Sequence, residues 1–176
     1  TRAFENAGSI LSPFSNAELN QGLYYLISHD SEDTLILLYN DIEWEVRKQC
    51  IFSFRSVFEQ LFAVRCSPHL SNIDDWTGDN PLNEVCYMWW DILPVVGRAN
   101  ELHGEEINRS FIDIMEVVLK VDSLACRESS LHGLGHWWYR YPARVTAIID
   151  TFLAENPTLP PELINYAHMA RRGKVR

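Results

Sequence analysis

Long apolar runs are absent from this chain, and their absence excludes a membrane-spanning helix. The longest, Leu35 to Tyr39 and Ile114 to Val118, are much shorter than the roughly 20 residues that a span requires. The N-terminus, from Thr1 to Asn6, also lacks the charged stretch followed by an apolar run that is typical of a signal peptide. We therefore expect no membrane partner and a cytoplasmic location.

Cysteines are few and widely spaced, at positions 50, 66, 86 and 126. None of them forms the Cys-x-x-Cys pattern of common zinc and redox motifs. A chain of this length can form a sizeable core without covalent cross-links. We predict buried thiols in a reducing compartment rather than disulfides.

Basic residues are also scarce, since 15 of them stand against 24 acidic residues and the net charge is −9. A nucleic-acid backbone is bound by clustered Lys and Arg, so this balance argues against a nucleic-acid partner. An acidic surface favours fast association with a basic protein, although it also serves solubility. The basic cluster from Arg171 to Arg176 fits a solvated tail.

Apolar residues are plentiful, at 47% with 12% aromatic, so the chain should fold. Apolar residues recur at helical spacing, and alternating strand patterns of useful length are missing. We predict an all-α single domain over residues 1–176, in which residues 33–39 form a short buried helix. The other helices are predicted at about 16–28, 42–65 and 82–92, then around 111–118 after a polar loop at 97–106, and at 123–136, 142–155 and 161–172.

Three segments beginning at Val46, Cys86 and Cys126 follow one another at intervals of 40 residues. The steps Val46-Arg47 and Cys126-Arg127 resemble the apolar-Arg step that recurs within HEAT repeats, whose period is about 40 residues. The resemblance implies a short right-handed stack of antiparallel helix pairs, either a HEAT-like α-solenoid or an irregular helical bundle. Its units would cover residues 42–80, 82–121 and 122–172, capped by a helix at 16–28.

The segment Leu131-His132-Gly133-Leu134-Gly135-His136-Trp137 resembles a little-characterised bacterial group of HEAT-like proteins. That resemblance brings no enzyme activity and no cofactor. It implies a curved helical stack whose concave face binds another macromolecule.

The stretch from Cys126 to His136 offers the clearest candidate metal ligands. On a helix, Glu128, His132 and His136 fall on one stripe, and two histidines four residues apart can bind zinc. The alternative is that these histidines are hydrogen-bonded structural groups. A further arrangement, in which Cys126, His132 and Asp91 meet in space, also stays open. Gly133 and Gly135 are predicted to let a neighbouring helix or the chain itself approach closely.

Two tryptophan pairs suggest a binding face. Neighbouring residues on a helix point about 100° apart, so we predict that one ring of each pair reaches a second surface. That surface is either a neighbouring helix in the core or a binding face. Trp is enriched among interface hot spots. The candidate partner-binding residues are therefore Trp89, Trp90, Asp91, His136, Trp137 and Trp138.

These observations together favour a non-enzymatic protein-binding module. One form of such a module is the immunity protein that neutralises a basic bacterial toxin. The alternatives are a metal-dependent hydrolase that uses Glu128, His132 and His136, and a structural subunit of a larger assembly. We assign no catalytic residue and expect no cofactor.

Overall fold

The computed structural model describes residues 1–28, 42–73, 80–93 and 102–175, and all regular secondary structure in these ranges is helical. The all-α prediction is confirmed for this part of the chain. The short helix predicted at residues 33–39 lies outside the described residues.

The helices follow the periodic segments of the sequence. Two short turns, α1 (Arg2–Glu5) and α2 (Ala7–Ile10), precede α3 (Asn16–Ile27) and α4 (Trp44–Val57). A π-helical segment (Phe58–Phe62) continues α4 and leads into α5 (Ala63–Arg65). The remaining helices are α6 (Leu82–Ile92), α7 (Gly104–Val118), α8 (Leu124–Trp137), α9 (Pro142–Glu155) and α10 (Pro161–Ala170).

Local capping explains where several of these helices begin. At the start of α3, the hydroxyl of Ser15 accepts from the backbone N–H of Glu18, whose carboxylate accepts from the backbone N–H of Ser15. This reciprocal pair is a capping box, for which Ser15 followed three residues later by Glu18 is the sequence pattern. The Ser123 hydroxyl accepts from the backbone N–H of Cys126 at the start of α8. Helices α9 and α10 both begin with proline, which lacks the N–H that a helix start leaves unpaired.

Helix α7 corrects the predicted polar loop at residues 97–106, because it begins at Gly104. The apolar stripe of this helix starts at the buried Ile107. The sequence pattern had placed its start one turn later, at Phe111. The extra turn therefore has an apolar side chain to bury.

The described helices pack through a set of pairwise contacts. Helix α6 contacts α3 and α8, α8 contacts α10, α4 packs on α7, and α1 packs on α4. Helix α7 also packs on α8, and α9 contacts both α8 and α10. Consequently α8 is surrounded, and almost every residue from Ala125 to Gly135 is buried.

An aromatic core surrounds Trp89 of α6, which is fully buried. Rings from Phe54, Phe58 and Phe62 meet the Trp89 indole edge-on, with centroids 5.4–5.8 Å away. Phe58 also stacks on Trp90 at 5.5 Å. Helix α6 thus lies between aromatic side chains of the α4 region on one side and α8 on the other.

The described helices are each too short or too polar to cross a membrane. All four cysteines are free thiols, with Cys86 and Cys126 buried and Cys50 and Cys66 half-buried.

Candidate functional site

Two histidines on α8 form the centre of the site. His132 and His136 lie four residues apart, so their side chains leave the same face of the helix one turn from each other. Their Nε2 atoms are 3.2 Å apart. The predicted pairing of these two imidazoles is therefore present.

Helix α6 supplies a carboxylate to the same point. Asp91 lies in the last turn of α6, and its Oδ2 is 3.1 Å from Nε2 of His132 while its Oδ1 is 2.8 Å from Nε2 of His136. One ligand atom from each of the three side chains lies within 4.8 Å of the other two. We call Asp91, His132 and His136 the His-Asp cluster.

Small residues on α8 make this meeting possible. A Cβ atom on Gly133 would lie 2.6 Å from Cγ of Trp90 and 2.5 Å from Sδ of Met115, closer than non-bonded atoms approach. One turn earlier, the hydroxyl of Ser129 donates to the carbonyl of Cys86. The predicted close-packing role is confirmed for Gly133, and its effect is to bring α8 against the end of α6 that carries Asp91.

The cluster has a buried side and an open side. The side chain of His132 is 1% exposed, whereas those of Asp91 and His136 are 27% and 35% exposed. The open side therefore belongs to Asp91 and His136, and solvent can reach the cluster there.

Burial and hydrogen bonding together set the charges of His132 and Asp91. Burial lowers the pKa of His132 because it disfavours the imidazolium, and the Asp91 carboxylate offsets only part of that effect. Burial acts to raise the pKa of Asp91, but hydrogen bonds from His132 and His136 outweigh it and hold this pKa well below its usual value. At neutral pH the cluster thus contains a carboxylate facing a neutral His132, the ionisation state in which both can bind a metal.

Two tyrosines, which the sequence analysis did not single out, lie behind His132. The hydroxyl of Tyr166, from α10, is 2.6 Å from Nδ1 of His132, and the hydroxyl of Tyr87, from α6, is 3.0 Å from that of Tyr166. Burial raises the pKa of Tyr87 to about 12 and that of Tyr166 further above its usual value, so both phenols keep their protons. A signal was present in the sequence, since Tyr87 and Asp91 repeat on α6 the four-residue spacing of the two histidines.

Glu128 has a different role from the one predicted. Its side chain is fully buried, and its two carboxylate oxygens accept from the backbone N–H groups of Ser71 and Asn72, at 2.8 and 2.9 Å. The carboxylate beside the histidines is that of Asp91. Side-chain spacing on one helix could not reveal this exchange, because the donors to Glu128 are backbone groups of a distant segment.

The tryptophans divide unequally between core and surface. Trp89, Trp90 and Trp137 are buried. For the pair Trp89 and Trp90, the second surface is therefore a neighbouring helix in the core, because both faces of α6 are covered. Trp138 is half-buried, so it and the two exposed members of the cluster are the predicted partner-binding residues that solvent reaches.

The arrangement of Cys126, His132 and Asp91 is met only in part. His132 and Asp91 are in contact, but Sγ of Cys126 lies 3.8 Å from the carbonyl oxygen of Phe58. A hydrogen bond with the thiol of Cys86 lowers the pKa of Cys126. Cys126 therefore belongs to the α4–α6–α8 core.

Over the residues that the structure describes, fold and site together define an all-helical architecture with a surface-accessible cluster of two histidines and one aspartate. Comparisons with protein-family models, with curated proteins and with solved structures found no match to this chain.

Proposed function

We propose that this protein binds a divalent transition metal ion, with zinc as the best fit, through Asp91, His132 and His136. The observation that carries this proposal is the convergence of one carboxylate and two imidazoles from two helices. With zinc–ligand distances of about 2.0–2.2 Å, neighbouring ligand atoms of a tetrahedral site lie about 3.4 Å apart. The two imidazole nitrogens are 3.2 Å apart, close to that spacing, and Asp91 meets each of them with a different oxygen, at 2.8 and 3.1 Å. With one oxygen as the ligand, all three ligand atoms lie within 4.8 Å of one another.

The ligand types support zinc over magnesium or calcium, which prefer all-oxygen sites. Three protein ligands leave a fourth tetrahedral position for water or a substrate, the arrangement of catalytic rather than structural zinc. Solvent could reach such a position from the open side formed by Asp91 and His136. A zinc-bound water there would have a lowered pKa, so hydrolysis is the reaction class that this centre supports. The hydrolase alternative is thereby retained with Asp91 in place of Glu128.

The substitution His136→Gln tests the site with little risk to the fold. His136 is half-exposed, and glutamine keeps an N–H group able to donate to Asp91 while it removes the imidazole. We expect the chain stripped with a chelator to bind one equivalent of Zn²⁺ in calorimetry and elemental analysis. The variant should lose more affinity than the roughly 10–100-fold cost of removing an outer-shell partner.

The matched control is His168→Gln, because His168 is exposed on α10. It should bind zinc as the wild-type chain does. Titrations with Mn²⁺, Fe²⁺ and Ni²⁺ compare the metals, since two histidines and a carboxylate also occur in iron sites. A wild-type chain that binds none of these ions, or a His136→Gln chain that binds zinc equally well, contradicts the proposal.

We propose partner binding as a second function, favoured by an exposed aromatic edge beside the cluster. Tyr139 is 78% exposed, and its ring meets that of the half-buried Trp138 at 5.6 Å. Gly173, in the left-handed conformation, brings the C-terminal segment beneath both rings. The packing of α6 on α8 on α10 and of α4 on α7 supports the HEAT-like stack as the scaffold for such a surface.

The charge of the partner is less constrained than the net charge suggests. Residues 29–41, 74–79 and 94–101, outside the described structure, hold eight of the 24 acidic residues and only one basic residue. The acidic argument for a basic toxin therefore depends mainly on these segments, not on the aromatic edge. A photo-crosslinking residue at position 139 should capture a discrete partner in the source cells. The same residue at position 25, where Tyr25 is also exposed, is the control, and equal labelling from both positions argues against the edge.

A further inference from the structure

Tyr166 connects His132 to a third helix by hydrogen bonds, and the donor and acceptor of each bond can be assigned. His132, on α8, meets the Tyr166 hydroxyl of α10 through Nδ1 at 2.6 Å, and Tyr166 meets the Tyr87 hydroxyl of α6 at 3.0 Å. All three side chains are buried. We call them the His-Tyr-Tyr chain.

Without a metal, the contacts specify one direction for these hydrogen bonds. Nε2 of His132 lies 3.1 Å from the Asp91 carboxylate, which only accepts, so the single proton of the neutral imidazole belongs on Nε2. Nδ1 must then accept, and the Tyr166 hydroxyl is the group that donates to it. Because its proton is used in this way, Tyr166 accepts at its oxygen from Tyr87.

A metal ion on Nε2 reverses each of these bonds. The ion takes the Nε2 lone pair, so the proton of the neutral imidazole must sit on Nδ1. Nδ1 then donates to the Tyr166 oxygen, and the Tyr166 proton turns towards the Tyr87 oxygen. Each residue carries the same number of protons in both arrangements. A phenol can serve both because its hydroxyl donates as well as accepts.

We propose that Tyr166 is a positioning residue of the metal centre, which holds the ring of His132 in both states by changing from hydrogen-bond donor to acceptor. This inference rests on the proposed metal binding. A partner able only to accept, such as a backbone carbonyl, would favour the metal-bound tautomer alone. The hydroxyl of Tyr166 instead keeps Nδ1 of His132 hydrogen-bonded both with and without metal.

The substitution Tyr166→Phe removes the hydroxyl and keeps the ring. Zinc binding would then leave Nδ1–H without its acceptor inside the protein, and we expect the affinity for Zn²⁺ to fall about 10–100-fold, the usual effect of losing an outer-shell partner. Tyr87→Phe is the matched variant, one link further away. It should reduce the affinity less, because Tyr166 can still accept from Nδ1.

Nitrogen NMR of the His132 ring provides the readout that a merely structural role would not move. In the wild-type chain we expect the proton on Nε2 without metal and on Nδ1 with Zn²⁺. A proton on Nδ1 in both states overturns the inference, and so does Tyr166→Phe that binds zinc as tightly as the wild type. Either result leaves metal binding intact, whereas a wild-type chain that takes up none of the tested metal ions refutes the proposed function itself. If Tyr166→Phe does not fold, the wild-type tautomers still decide the question.

Discussion

The two ends of one polar stripe on α8 have opposite characters. Glu128, at one end, is fully buried, and both of its oxygens accept from backbone N–H groups of Ser71 and Asn72. His136, at the other end, is half-exposed and faces a carboxylate. Residues with the same spacing on one helix face therefore have different roles: Glu128 makes a buried structural contact, and His136, two turns away, belongs to a solvent-accessible cluster. The partner decides between them, because backbone N–H groups can satisfy a carboxylate but cannot bind a metal.

The largest effect should come from breaking the closed end with Glu128→Ala. The substitution leaves two N–H groups without their charged acceptor, and each hydrogen bond to a charged group contributes about 1.5–3 kcal/mol. We expect the free energy of unfolding to fall by about 3–5 kcal/mol, measured by urea denaturation without metal. Glu128→Gln, which keeps one carbonyl oxygen, should lose less and still bind zinc. Loss of zinc binding by Glu128→Gln at unchanged stability would show that the two ends are not separate.

A smaller effect should follow from Gly133→Ala, which acts between the two ends. The new methyl group would meet Cγ of Trp90 at 2.6 Å, and this atom belongs to a rigid, buried ring. Overpacking of this kind costs about 1–3 kcal/mol. Because relief requires α6 and α8 to separate, zinc affinity should fall together with stability.

Gly22→Ala is the control for this substitution, since a Cβ at Gly22 in α3 meets nothing within 4 Å. It should stabilise the chain by up to about 1 kcal/mol through helix propensity. Zinc affinity that survives in a destabilised Gly133→Ala chain would mean that the cluster does not need this close approach.

The smallest effect should be the pH dependence of the metal-free protein. The pKa of His132 is lower in the folded protein than in the unfolded chain, so the unfolded chain binds more protons as the pH falls below the ordinary value of 6.5. Stability should therefore decline on acidification from pH 7 towards the folded pKa. Asp91, whose pKa is also depressed, adds a second decline below its ordinary value of 3.8.

Thermal unfolding at a series of pH values, with chelator present, measures this slope. His132→Asn should flatten the decline between pH 7 and 5, while His168→Gln should leave it as it is in the wild type. A wild-type stability that rises on acidification across this range would contradict the burial of a neutral His132.

Much of the fold could be predicted from local signals, whereas of the site only the two histidines could be predicted as neighbouring ligands. The capping box at Ser15 and the proline at position 142 mark helix starts in sequence, and the structure has both. The histidine pair was also visible, because both members lie on one helix. Asp91, 41 residues before His132, was considered beside it only in an arrangement with Cys126 and not as a metal ligand, since which two helices touch depends on packing that the sequence pattern does not contain.

The tryptophan pair of α6 shows the same limit from another side. Periodicity describes one buried face of a helix, so by itself it left open whether the second ring of the pair Trp89 and Trp90 meets another helix or a binding face. Both are buried because α6 is covered by the α4 region and by α8. Burial on two sides follows from the number of neighbouring helices, a property of the whole fold.

The π-helical segment Phe58–Phe62 has a consequence for how this chain can change in length. A π turn holds one residue more than an α turn between hydrogen-bonded groups. Deleting one residue there would restore α-helical bonding and rotate the chain before it by about 100° against the chain after it. Phe54 and Phe62 would then no longer both face Trp89, and the carbonyl of Arg65, which accepts from Asn80 at 2.7 Å, would turn away. The deletion would therefore restore regular backbone hydrogen bonds but lose the packing of the aromatic core, which makes the extra residue necessary for this fold.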